Sequence, residues 1–174
     1  MLAFSAALLA PIAIGVGRFS AERAMRWAVP VGIAAAIVQV VGLMRWPLLV
    51  PGYASDAGSA DPSVAANGRD AFTTASDILG TAIGETLGYL LTAVWTVLVV
   101  VALGRHFAGR WFPILGGVSA ALVLVGVVSP LDLPVVDTAN FFGYVLWSLW
   151  LIVFGVAILV RERRAGRAAP GAGA

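Results

Sequence analysis

Long apolar runs alternate with short charged stretches along this chain. The runs cover approximately residues 2–17, 27–50, 79–104, 113–129 and 141–160. A bilayer core takes about 20 apolar residues as helix. The pattern therefore predicts an all-α fold, an integral membrane helical bundle of five transmembrane helices forming one domain over residues 1–160. The first run is the shortest, about 24 Å of helix, and no basic residue precedes it, which argues against a cleaved secretory signal. The sizeable aqueous segment is an outer loop at 51–77; it opens with "PGYASDAGSADPS", turns again at Asn67 and Gly68, and reads as partly irregular. From Arg69 onward, Phe72, Ala75, Ile78 and Leu79 recur at helical spacing, so the third helix is expected to start ahead of the membrane. Residues 161–174, "RERRAGRAAPGAGA", read as a basic juxtamembrane stretch followed by a disordered Gly/Ala-rich tail.

Charge orients the bundle. Nine arginines fall in the first connection (Arg18, Arg23, Arg26), the third (Arg105, Arg110) and the tail (Arg161, Arg163, Arg164, Arg167), whereas Arg69 is the one loop arginine on the other face. That face carries Asp56, Asp61, Asp70, Asp77, Asp132 and Asp137. Basic loops stay cytoplasmic, so the N-terminus is expected outside and the C-terminus inside a bacterial cytoplasmic membrane. Trp27 and Trp111 then fall at the inner boundary, and Trp46 and Tyr53 near the outer one, as amphipathic rings should.

Composition removes several classes of function. The chain of 174 residues is 60% hydrophobic and 11% charged, where a globular domain spends about a quarter of its residues on charge. Its basic residues are all arginine and sit beside apolar runs, so nucleic acid is not an expected partner. With no cysteine there is no thiolate nucleophile and no thiolate metal site. The single histidine, His106, reads as interfacial and cannot build a multi-histidine metal or bis-histidine haem centre within one subunit. No cofactor, metal or catalytic residue is expected, and no Ser-His or paired-carboxylate constellation is legible, so the protein is expected not to be an enzyme.

The third run carries the candidate chemistry. At 100° per residue, Thr81, Glu85, Gly88, Tyr89, Thr92 and Thr96 share a polar face. Gly80, Gly84 and Gly88 flank it at four-residue spacing, leaving a groove that another helix backbone can approach. A lone carboxylate at membrane depth costs about 2.5 kcal/mol or more, so Glu85 is expected to be protonated, paired or solvated. Arg45 lies at matching depth in the second run, and Gly42 on its face would bring the backbones close, so a buried Arg45–Glu85 pair is expected. Gln39 reads as an interhelical hydrogen bond. Trp95, Trp147 and Trp150 read as packing, and Pro11 and Pro47 as kinks or helix ends. Asp77 is most simply a carboxylate at the helix start, although Asp77, Thr81 and Glu85 could also line an inlet.

The stretches "MRWPLLVPGYA" at 44–54, "GTAIGETLGYLLTAVWTVLVV" at 80–100 and "FGYVLWSLWLIVFGVAIL" at 142–159 together resemble a bacterial multi-pass family catalogued as domain of unknown function 4386. The most specific element is Gly84, Glu85, Gly88 and Tyr89. The resemblance implies a membrane bundle and supplies no activity, cofactor or catalytic residue; members tend to carry a further hydrophobic segment upstream of the first one here. Taken together, the residues suggest a membrane protein with an interaction or regulatory role, whose partners are the lipid bilayer and a further copy of itself or another membrane protein. The alternative is a proton-coupled small-solute transporter or permease using Glu85. A membrane enzyme acting on lipid or quinone is a third class with less support.

Overall fold

The structure, a computed structural model, describes residues 2–131 and 133–168. Asp132 and the tail's last residues, 169–174, to which the sequence assigned an outer-face charge and disorder, lie outside the described residues. Helix accounts for nearly all of the rest. In chain order the elements are α1 (Leu2–Ala7), α2 (Leu9–Val16), α3 (Arg23–Leu48), α4 (Val50–Ala57), α5 (Pro62–Ala75), a π-helical segment (Ser76–Leu87), α6 (Gly88–Ala108), α7 (Trp111–Val125) and α8 (Pro134–Ala168). Short 3-10 turns at Gly17–Phe19 and Gly126–Leu131 follow α2 and α7.

Several of these elements run on into one another. Among the described residues, four helices are long and apolar enough to cross a membrane: Arg23–Ala57, Pro62–Ala108, Trp111–Leu131 and Pro134–Arg164. The first apolar run forms a shorter apolar helix, Ala3–Phe19, packed on α3. Helix α1 stops at Ala7, whose carbonyl has lost its usual donor because Pro11 carries no N–H. Pro47 lies in the last turn of α3, which ends at Leu48, and α4 resumes at Val50 with Pro51 in its first turn.

The segment 51–77 is the main departure from the sequence reading. It is a helical hairpin, with α4 and α5 packed together, and Asn67 and Gly68 lie inside α5. Gly68 is the contact point: a methyl placed there would meet the Ala57 nitrogen at 2.7 Å. The loop signals were real but belonged to two short segments, the turn at Gly58–Asp61 and the tight helix crossing at Gly68. The third helix therefore starts at Pro62, earlier than Arg69.

Helix α3 packs on α1, α2, the π-helical segment and α6, while α7 lies between α6 and α8. The core contains Trp95, Trp150, Phe112 and Phe154, all fully buried. Trp95 and Trp150 meet edge to face with centroids 6.0 Å apart, and the Trp150 indole donates to the Phe112 carbonyl at 3.1 Å. The opposite faces remain bare: Val94, Val97 and Val101 on α6, and Val145, Leu149, Ile152 and Val156 on α8, form exposed apolar stripes. Stripes of this extent suit contact with lipid.

The arginine-rich connections gather at one end. Phe19 touches Phe107 edge to face at 6.1 Å, and Arg161 donates to the Phe107 carbonyl at 2.6 Å while lying over its ring. Gly109, at φ 85°, ends α6 just before α7 turns back; exposed His106 lies in that final turn. The α4–α5 hairpin marks the other end.

At that end Asp61 caps α5, its carboxylate accepting from the Ser63 amide at 2.8 Å and the Ser63 hydroxyl at 2.7 Å. The bond to the Ser63 side chain, then those to the backbone amides of Ser63 and Val64, hold Asp61 below the ordinary carboxylate range. A depressed folded-state pKa gives stability that is present above the unfolded value and lost as pH falls through the folded one. Amide exchange at Ser63–Ala65, corrected for intrinsic rates, should therefore lose protection on acidification below the usual aspartate range. Asp61→Ala should show that loss already at neutral pH; unchanged protection in the variant would contradict the cap.

Candidate functional site

The glycines of the third span set the site. In an α-helix a four-residue repeat drifts by about 40° at each step; the wider π-helical turn over Ser76–Leu87 offsets that drift, and Gly80, Gly84 and Gly88 all face α3. Gly84 lies against Gly42: a methyl on Gly42 would come within 2.6 Å of the Gly84 Cα and 3.0 Å of the Leu79 carbonyl oxygen. Gly88 faces Gln39, and Gly80 faces Arg45. Any side chain at Gly42 or Gly84 would force these backbones apart.

Arg45 takes its shape from this crossing. Its guanidinium lies flat over Gly80, with the three atoms Cζ, Nη2 and Nη1 at 2.7, 2.8 and 3.0 Å from where a Gly80 methyl would stand. The Trp46 ring lies 5.3 Å from Cζ. Nη1 donates to the Gly42 carbonyl at 2.9 Å, while Nε is buried without a hydrogen-bond partner.

The expected direct pair is not formed. Among the described residues no ion pair within 4.0 Å joins Arg45 to Glu85. Both instead line one half-open cavity of about 330 Å³, with Gln39, Gly42, Leu43, Trp46, Gly80, Gly84, Tyr89 and Tyr144. The physical reason lies in the Gly42 carbonyl, which holds Arg45 on its own helix, and in the π-helical turn, which changes the direction in which Glu85 points.

The predicted polar stripe divides in two. Glu85 and Tyr89 open onto the cavity. Thr92 and Thr96 are fully buried and internally bonded: Gln39 Nε2 donates to the Thr92 hydroxyl at 2.8 Å, and the Trp147 indole to that of Thr96 at 2.8 Å. Asp77 is exposed and Thr81 half-buried, and neither lines the cavity that Glu85 opens onto. The i, i+4, i+8 alignment of the three assumed α-helical rotation throughout a stretch that is π-helical.

Sequence reasoning passed over three wall residues as site residues. Tyr144 meets Tyr89 edge to face at 5.6 Å, and Leu43 and Trp46 complete the lining. A signal was available for Tyr144, since "FGYVL" at 142–146 repeats the Gly-Tyr pair of "LGYLL" at 87–91. Asn140 was also missed. It is buried on α8, donates to the Val123 carbonyl at 3.0 Å, and packs on Gly126 beside Tyr89, supporting the cavity from behind.

Depth follows from helix length. Arg45 is 18 residues from Trp27, and Glu85 is 18 from Leu103, each about 27 Å along the helix. Both residues therefore lie toward the hairpin end of their helices, most of a hydrocarbon thickness of about 30 Å from the arginine end.

The chain belongs to the family described as Domain of unknown function (DUF4386), whose sequence model matches residues 1–155. No curated protein and no solved structure matches the chain.

Two substitutions separate the backbone crossing from the guanidinium seat. Gly42→Ala sets a methyl against backbone and should cost about 1–3 kcal/mol, whereas Gly80→Ala meets only the movable end of Arg45 and should cost clearly less. Melting temperatures in one detergent decide it, and equal values for the two variants would refute the assignment.

Proposed function

We propose that this is a non-enzymatic, multi-pass protein of a bacterial cytoplasmic membrane that binds a small polar ligand from outside, in the cavity walled by Arg45 and Glu85. Its five apolar helices, counting Ala3–Phe19, run N-terminus out to C-terminus in, with the arginine end cytoplasmic. The observation that carries the reading is a cation and a carboxylate, unpaired with each other, lining one cavity toward the hairpin end of the bundle. Ionisable groups in such places mark ligand or ion paths by default, and π-helical turns recur at functional sites. A cavity of about 330 Å³ falls at the small end of ligand pockets, about 300–1,000 Å³. Occupancy would reach lipid neighbours, another copy or another membrane protein through the α3 crossing, giving a regulatory role.

A proton-coupled permease using Glu85 is the second reading, favoured by the carboxylate's unpaired state. It needs a route through the bundle. Fully buried Thr92, Thr96, Trp95 and Trp150 occupy the layer between the cavity and the arginine end, which supports one-sided binding instead.

The absence of cysteine makes the test clean. In intact cells a membrane-impermeant maleimide should label Leu43→Cys and Gly58→Cys, while Arg164→Cys should react only after lysis. Failure at Leu43→Cys with success at Gly58→Cys would mean a closed cavity; the reverse sidedness would overturn the topology. A pH-gradient-driven flux in liposomes, lost in Glu85→Gln, would replace binding with transport.

Coupling between the charges gives an independent check. With no ion pair to break, the destabilisations of Arg45→Met and Glu85→Gln should sum with a coupling at the low end of the about 0.5–3 kcal/mol shown by groups that share a cavity. A double variant much more stable than that sum would restore the direct pair.

A further inference from the structure

We infer that the cavity selects a zwitterion, holding its carboxylate or phosphate on Arg45 and its primary ammonium on Glu85. The inference rests on the binding reading above and specifies its ligand. Nη1 gives one N–H to the Gly42 carbonyl. The Nε–Nη2 edge retains its donors, and Nε is buried with no partner. Turning the guanidinium off its seat on Gly80 would bring that edge, with its two parallel N–H groups, to two oxygens of a carboxylate or phosphate at once. A buried unpaired donor is costly, so an oxyanion here would satisfy a group the fold itself leaves unsatisfied.

Glu85 defines the other pole. It makes no hydrogen bond to any described residue, and its carboxylate can only accept while ionised. The paired Tyr89 and Tyr144 rings, which line the same cavity, favour a cation nearby. A simple anion would leave Glu85 unmatched and repelled, and a simple cation would leave Arg45 so. One ligand carrying both charges matches both walls, and the cavity as a whole adds no net charge of its own.

Two sources carry this chemistry: a free amino-acid-like solute and the phosphoethanolamine headgroup of a membrane lipid. The place of the cavity toward the hairpin end of the bundle suits the second, and its size accommodates either.

Labelling of Leu43→Cys by maleimide reports occupancy, because Leu43 lines the cavity. The purified variant would be compared in phosphatidylethanolamine and phosphatidylglycerol nanodiscs, and in detergent with glycerophosphoethanolamine, glycerol phosphate or 4-aminobutyrate added. The expected result is labelling at least tenfold slower with phosphatidylethanolamine and glycerophosphoethanolamine, and not with phosphatidylglycerol or glycerol phosphate. Adding Glu85→Gln should abolish the protection. Arg45→Lys, which keeps the charge and loses the fork, should weaken it at least several-fold in protein that elutes and melts as folded. Protection by 4-aminobutyrate but not by the lipid would uphold the zwitterion and assign it to a free solute. Equal protection by the anionic probes, protection surviving Glu85→Gln, or none from any zwitterion would overturn the inference while an open Leu43→Cys leaves the cavity intact. No labelling without any probe would remove the cavity reading and this inference together.

Discussion

The near-contact of two backbones at Gly42 and Gly84 governs this structure. With lipid on the outside, helices gain nothing from hiding apolar surface from water, and association depends on close packing and interhelical hydrogen bonds. Here a crossing without side chains brings α3 within reach of the π-helical segment. That approach presses the Arg45 guanidinium onto Gly80 and lets Gln39 reach Thr92 at 2.8 Å. Gly116 makes a comparable close contact elsewhere, receiving the Trp150 indole between α7 and α8.

Polar groups are divided between two tasks along the same helix. Toward the arginine end, Thr92 and Thr96 are satisfied by Gln39 and Trp147 and seal the bundle around Trp95 and Trp150. Toward the hairpin, Glu85 and the Nε of Arg45 are left without protein partners. The change falls close to Gly88, where π-helical turns give way to α6. The Trp95 indole is a second buried donor without a partner, inside the core; what distinguishes the hairpin side is that its unpaired groups are charged and line a cavity.

Much of this was legible in the sequence, for identifiable reasons. Apolar runs reveal helices because length and hydropathy are local properties, and Arg45, Glu85 and the glycines stood out because charged and side-chain-free positions are conspicuous in such runs. The details failed where local signals have more than one use. Gly58, Asn67 and Gly68 all suggested turns, yet Gly68 serves a helix crossing. The π-helical segment left no recognised mark, so rotation by 100° per residue put Asp77 and Thr81 in line with Glu85. The preference of Arg45 for the carbonyl of Gly42 on its own helix depends on a rotamer, which no spacing rule contains. Tyr144 and Asn140 come from a helix distant in sequence, and only the repeated Gly-Tyr pair hinted at the first.

The glycine seat of Arg45 also bears on how this protein can vary. Glycine has no smaller replacement, so every missense change at Gly42, Gly80 or Gly84 adds at least one carbon to a place already in contact. Mutational drift at these codons can therefore move in one direction only, toward closing the cavity or spreading the helices. A larger residue at Gly42 or Gly84 cannot be offset at the facing position, which is already glycine, whereas one at Gly80 needs only the end of the Arg45 side chain to move.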